Sequence, residues 1–123
     1  MKRIVPLAII AALAALAVTV AAFGATVLAN PTDKFKLAYA KKNLTATHGL
    51  LTLRSKNTSS VLKHDISIRK GTSATGKVLV KGKVVGLNGV SVARVKLAKG
   101  KYRFFCSVPG HEQGGMWGIL TVK

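Results

Sequence analysis

Most of the chain alternates between apolar and polar side chains, which is the pattern of strands with one buried face. No helical pattern of useful length follows residue 30. Seven or eight short strands at this spacing predict an all-β protein, a Greek-key β-sandwich rather than a parallel sheet. The predicted strands are Lys34–Ala40, Leu50–Asn57, Leu62–Arg69, Gly76–Val85, Val90–Leu97, Lys101–Cys106 and Trp117–Lys123.

The first 29 residues have a different pattern, because Lys2 and Arg3 are followed by an apolar run without any charge. This order is typical of an export signal, and small or compact residues stand where a signal peptidase would cut. We expect cleavage after Ala29, which leaves one domain of residues 30–123. The apolar run is also long enough to cross a bilayer, so the alternative is an uncleaved membrane tether through residues 4–28.

An exported protein would work in the periplasm, in the cell envelope or outside the cell, where thiols are easily oxidised. Cys106 is the only cysteine of the chain. A lone thiol in that environment is better explained by a bound metal than by a disulfide framework.

The loop between the last two predicted strands contains Cys106, His111 and Met116 at steps of five residues. A Pro-Gly pair and a Gly-Gly pair lie between them and allow the chain to reverse twice. A thiolate, an imidazole and a thioether together suit a copper ion that alternates between Cu(I) and Cu(II). His64 lies on another predicted strand, in phase with apolar residues, and is the candidate for a second imidazole.

The segment CSVPGHEQGGMWGILTV, together with KHDISI upstream, resembles the type 1 (blue) copper proteins, which are the cupredoxins of the plastocyanin-like superfamily. Its spacing is similar to that of rusticyanin- and sulfocyanin-like members. The resemblance implies one type 1 copper per chain, with Met116 as its weak axial ligand. It implies that the strong equatorial ligands are His64, Cys106 and His111. It also implies a one-electron carrier rather than an enzyme, with the imidazole of His111 as the electron port.

Three further polar residues invite an interpretation. Gln113 could replace Met116 as the axial ligand, since an amide has this role in some members, but Met116 matches the motif. Asp65 stands where many members have Asn, and it either braces the Cys106 loop by accepting a backbone N–H or is an exposed polar residue. We expect His48 to be a surface residue, because it has no partner in the motif.

The chain carries a formal net charge of +17, with 20 basic residues against three acidic ones. We interpret most of the bases as a solvated outer face. The excess attracts anions, so we expect redox partner proteins with an acidic docking surface. Nucleic acid is not an expected partner of an exported protein, and we expect a monomer.

Two other functions remain open at this stage. Copper storage or delivery would use the same ligands, but it favours exposed sites rich in Met or Cys, and this chain has only Met1 and Met116 besides Cys106. A basic module that binds anionic envelope polymers would rest on the net charge alone.

Overall fold

The structure is a computed structural model, and it describes residues 24–32 and 36–123. This part of the chain forms eight strands and no helix. Among the described residues there is accordingly no helix that could cross a membrane. The strands are β1 (Ala25–Leu28), β2 (Asn43–Ala46), β3 (Gly49–Lys56), β4 (Ser67–Lys70), β5 (Val78–Lys81), β6 (Val90–Leu97), β7 (Gly100–Phe105) and β8 (Trp117–Val122).

The strands form two sheets, in the orders β1-β3-β6 and β2-β8-β7-β4-β5. Strand β1 runs parallel to β3 and β2 runs parallel to β8, whereas the other neighbours are antiparallel. The chain passes between the two sheets several times, so that residues distant in sequence face each other across one interior. The prediction of an all-β sandwich is confirmed.

The core lies between the sheets and follows the predicted alternation. On β3, Leu51 and Leu53 are fully buried, whereas their neighbours Leu50 and Arg54 are exposed. Each large aliphatic or aromatic side chain removed from water in this way contributes about 1.5–3 kcal/mol. The apolar side chains of the core that have no exposed surface include Leu51, Leu53, Ala93, Ile66, Ile68, Phe104 and Leu120.

Strand β1 lies inside the segment that the sequence assigned to the export signal. Its residues pair with β3 from Ala25↔Leu51 to Leu28↔Arg54. A small apolar segment suits both a signal and a strand, so composition alone could not separate them. Residues 1–23, which hold the rest of the predicted signal, lie outside the described residues, and the domain boundary at Asn30 stays a prediction.

Three predicted strands differ from the observed ones. Of the predicted strand Lys34–Ala40, residues 34–35 are not described and the remainder is not a strand, apart from a bridge between Pro31 and Tyr39. Pro31 has no N–H with which to extend this bridge into a ladder. The strand that forms in this part of the chain is instead β2, which pairs with β8. The predicted strands Leu62–Arg69 and Gly76–Val85 shorten to β4 and β5, and outside these strands only one bridge joins His64 to Val85.

Candidate metal centre

The four predicted ligands lie at one end of the five-stranded sheet. His64 precedes β4, Cys106 directly follows β7, and Met116 directly precedes β8. The backbone N–H of Cys106 donates to the carbonyl of Met116 over 3.0 Å, which places these two residues side by side. His111 lies in the turn that joins the two strands.

The turn folds as its proline and glycines predict. The N–H of His111 donates to the carbonyl of Val108, and the N–H of Met116 donates to the carbonyl of His111, both over 3.0 Å. Gly110 and Gly115 have φ angles of 83° and 112°, which disfavour side-chain-bearing residues. The loop is therefore a short series of closed turns that brings His111 back to Cys106.

The two imidazoles and the thiol bring their donor atoms together. The Nδ1 atoms of His64 and His111 lie 3.3 Å apart. The Sγ of Cys106 is 3.4 Å from Nδ1 of His111 and 3.9 Å from Nδ1 of His64. Metal–ligand bonds of about 2.0–2.3 Å, the values for zinc with nitrogen and sulfur, would separate three trigonal donors by about 3.5–3.8 Å. The triangle therefore has the size that one transition-metal ion requires.

Burial keeps this donor set neutral in the metal-free protein. It lowers the pKa of both imidazoles, and the neighbouring His111 lowers the pKa of His64 further, so both rings offer a free lone pair at neutral pH. Burial raises the pKa of the Cys106 thiol to about 11, so a metal that binds must displace its proton. The buried Nε2 of His64 has no hydrogen-bond partner among the described residues.

The thioether completes the set from the interior. Met116 has no exposed surface, whereas Gln113 is exposed on the same loop. A buried thioether beside two imidazoles and a thiolate is the donor set of a blue-copper site, in which the sulfur of methionine is the weak ligand. The residues present fit copper, and Met116 fits the axial position better than Gln113 does. His48 is exposed, with its Nδ1 3.0 Å from the carbonyl of Lys123, as expected for a surface residue.

Asp65 braces the cysteine, as one of the two interpretations expected. Its backbone N–H points at the Sγ of Cys106 over 3.4 Å. Its carboxylate accepts the N–H of Ser107 over 2.6 Å and also accepts the hydroxyl of Ser107. The side chain is fully buried, so the alternative of an exposed polar residue is wrong. Such contacts orient a ligand and reduce its freedom to move.

Glu112 is a second brace, and the sequence analysis missed it. Its carboxylate accepts a hydrogen bond from Nη2 of Arg69 over 2.9 Å and one from Nε of Arg103 over 2.8 Å. The side chains are largely buried, with 7% of Glu112, 19% of Arg69 and 10% of Arg103 exposed. Burial alone would raise the pKa of Glu112, but the two guanidinium groups lower it overall.

The arginines extend this brace to the neighbours of the other ligands. The guanidinium of Arg69 lies 4.2 Å from the ring centre of Phe105, the residue before Cys106. That of Arg103 lies 3.9 Å from the ring centre of Trp117, the residue after Met116. Glu112 itself follows His111. Through the two arginines, one carboxylate thus links the side chains of residues next to all three ligands of the loop.

A sandwich of two sheets with two imidazoles, a thiol and a buried thioether at one end defines a type 1 copper protein. A sequence model of the copper-binding proteins of the plastocyanin/azurin family matches residues 26–123. The chain belongs to this family. Comparison with curated protein sequences gives no significant match.

Solved structures of auracyanins share the fold. Dithionite-reduced auracyanin from Roseiflexus castenholzii is 29% identical, with a TM-score of 0.69 over 80% of this chain and 96% of the other. Auracyanin A, a blue copper protein of Chloroflexus aurantiacus, is 23% identical, with a TM-score of 0.69 over 81% and 99% of the two chains. Auracyanin B is 20% identical, with a TM-score of 0.70 over 80% and 88%.

The brace at Glu112 leads to a stability prediction. Glu112→Gln leaves two largely buried guanidinium groups without their counter-charge, so the free energy of unfolding should fall by about 3 kcal/mol. Chemical denaturation of the metal-free protein measures this change. Lys99→Gln is the control, because it removes one exposed charge and should change stability by less than about 0.5 kcal/mol. Equal stabilities of the two variants would contradict the account.

Proposed function

We propose that this protein is a one-electron carrier whose copper is held by His64, Cys106, His111 and Met116. Copper bound there supplies a Cu(II)/Cu(I) couple. The observation that carries the proposal is the triangle of two Nδ1 atoms and one Sγ, with sides of 3.3–3.9 Å. The similarity to auracyanins supports it.

The protein's own residues prepare the site for electron exchange. Asp65 and Glu112 hold the ligand loop from two sides, so the ligands need not rearrange when the charge of the site changes. His64, Cys106 and Met116 are buried and keep water away from the donors. Storage or delivery of copper would favour exposed, exchangeable ligands, so this burial favours the carrier over the alternative.

His111 is the proposed electron port, because it alone of the four ligands is partly exposed. It lies between the exposed Gly110 and the exposed Gln113. A redox partner would approach this end of the sandwich. We propose that such a partner presents acidic residues, since Asp65 and Glu112, the acids that the structure describes, are both buried, whereas the exposed charged side chains of the described residues are basic.

We also propose that the protein acts outside the cytoplasm. The uncharged apolar run after Arg3 supports an export signal or an uncleaved membrane tether. Because β1 pairs with β3, we place the end of this segment before Gly24 rather than at Ala29.

The position of β1 makes a prediction about processing. Cleavage after Ala29 would remove the strand and leave the edge of β3 unpaired, so the protein isolated from its producing cells should retain Ala25–Leu28. Intact-mass and N-terminal peptide analysis measure the start of the mature chain. A start at Asn30 would contradict this proposal.

The electron port is tested with an anionic one-electron oxidant. Gln113→Glu places a negative charge near His111, so hexacyanoferrate(III) should oxidise the reduced variant about three- to tenfold more slowly at low salt. Lys99→Gln changes the net charge equally but lies in the turn before β7, at the opposite end of the strand from Cys106. Stopped-flow absorbance gives both rates. Equal slowing in the two variants would contradict the assignment of His111 as the electron port. Slowing that high salt does not reduce would contradict it as well.

A further inference from the structure

The outer face of the β1-β3-β6 sheet carries four basic side chains that have no counter-charge among the described residues. Arg54 and Lys56 on β3, and Arg94 and Lys96 on β6, are exposed. None of them forms an ion pair with a described residue. Arg54 lies opposite Val92 and Arg94 lies opposite Thr52, so the two guanidinium groups are diagonal neighbours on one face. Neighbouring like charges on a sheet disfavour the folded state unless an anion joins them.

The same face exposes four aliphatic side chains, and we call the whole surface the basic sheet face. The exposed fractions are 62% for Leu28, 36% for Leu50, 38% for Val90 and 37% for Val92. They are half of the eight large hydrophobic residues that are exposed in the described part of the chain. Leu28 lies beside Arg54 on the neighbouring strand, so aliphatic and cationic groups alternate across the face.

The two sheets differ in their arginines. On the outer side of the five-stranded sheet, Arg69 and Arg103 bind Glu112 and stack on Phe105 and Trp117. The two arginines there share one carboxylate and cover the rings. Among the described residues, Arg54 and Arg94 of the basic sheet face have no such carboxylate partner, although exposed lysines lie on both sheets.

We propose that the basic sheet face lies on the surface of an anionic phospholipid bilayer. Cationic groups near such a surface are attracted to the headgroups, and aliphatic side chains between them can enter the headgroup region. The face has no aromatic residue of the kind that anchors protein–protein interfaces. A bilayer therefore fits this surface better than a protein partner does.

The apolar segment supplies a second argument, and this part rests on the proposed membrane tether. Residues 4–23 contain no charge and are followed at once by Gly24 and β1, an outer strand of this sheet. A tether so short holds the sheet near the bilayer at high effective concentration, so that a weak attraction suffices.

This orientation leaves the electron port free. His64, Cys106 and Met116 belong to the ends and connections of the five-stranded sheet, not to the sheet that carries the basic face. A domain that rests on β1, β3 and β6 keeps the His111 loop open to a partner beside the membrane.

Residue-resolved acetylation of lysines tests the proposal on the full-length, copper-loaded protein reconstituted into vesicles. In vesicles rich in phosphatidylglycerol, Lys56 and Lys96 should react at least about fivefold more slowly than in phosphatidylcholine vesicles at low salt. Lys81 and Lys101, which are exposed on the other sheet, should react at equal rates in both. High salt should abolish the difference. Equal protection of all four lysines would overturn the proposal.

Paired variants separate this face from the net charge. Arg54→Gln combined with Arg94→Gln should remove the protection of Lys56 and Lys96. The control combines Lys70→Gln with Lys77→Gln, on or next to the other sheet. It removes the same amount of charge and should leave Lys56 and Lys96 protected. The proposal fails if both pairs act alike, or if soluble polyphosphate protects the face while vesicles do not, which would indicate an anionic polymer as its ligand.

Two further measurements distinguish a failure of the proposed tether or of the proposed electron carrier from a failure of the basic sheet face to bind lipid. Flotation with vesicles at high salt reports the tether alone, since salt removes the attraction of the face but not an inserted segment. Oxidation by hexacyanoferrate(III) reports the carrier and involves no lipid. If the protein does not float at high salt but Lys56 and Lys96 are protected at low salt, the tether is contradicted. The binding of the basic sheet face to the bilayer is still supported.

Discussion

The structure depends on holding three donor atoms, two imidazole nitrogens and one thiol sulfur, within 3.3–3.9 Å of one another. Such an arrangement is stable only if the chain around it is restrained from several directions. Asp65 supplies one restraint through the backbone of Ser107, and Glu112 supplies another through Arg69 and Arg103. The β7–β8 pairing supplies the third, because it places Cys106 beside Met116.

These restraints also explain the outside of the protein. The chain has three acidic residues, and the two that the structure describes are buried as braces of the copper loop. No carboxylate side chain in the described part is thus left to balance the exposed lysines and arginines. The basic exterior and the ordered metal centre are two results of the same use of acidic side chains. In the proposals above, a redox partner meets the protein at His111 and a membrane meets it at β1, β3 and β6.

The convergence of the candidate ligands could be predicted because most of their signal is local. Cys106, His111 and Met116 lie within one short loop whose glycines and proline determine its turns, and His64 is in phase with an apolar row. Strand β1 could not be predicted, because Ala25–Leu28 has the composition of the preceding apolar run. The Glu112 brace could not be predicted either, because Arg69 lies 43 residues away and a lone charge pair gives no pattern. Only the packing of β4 against β7 brings the two arginines together.

The most direct test of the account is the visible and electron paramagnetic resonance spectrum of the full-length protein with one equivalent of Cu(II). The four proposed ligands predict an intense visible thiolate-to-copper charge-transfer band and a small copper hyperfine splitting. The band should disappear in Cys106→Ala and persist in Gln113→Ala, which alters an exposed residue of the same loop. Copper that binds the folded protein without this band, or a band that survives in Cys106→Ala, would contradict the central claim.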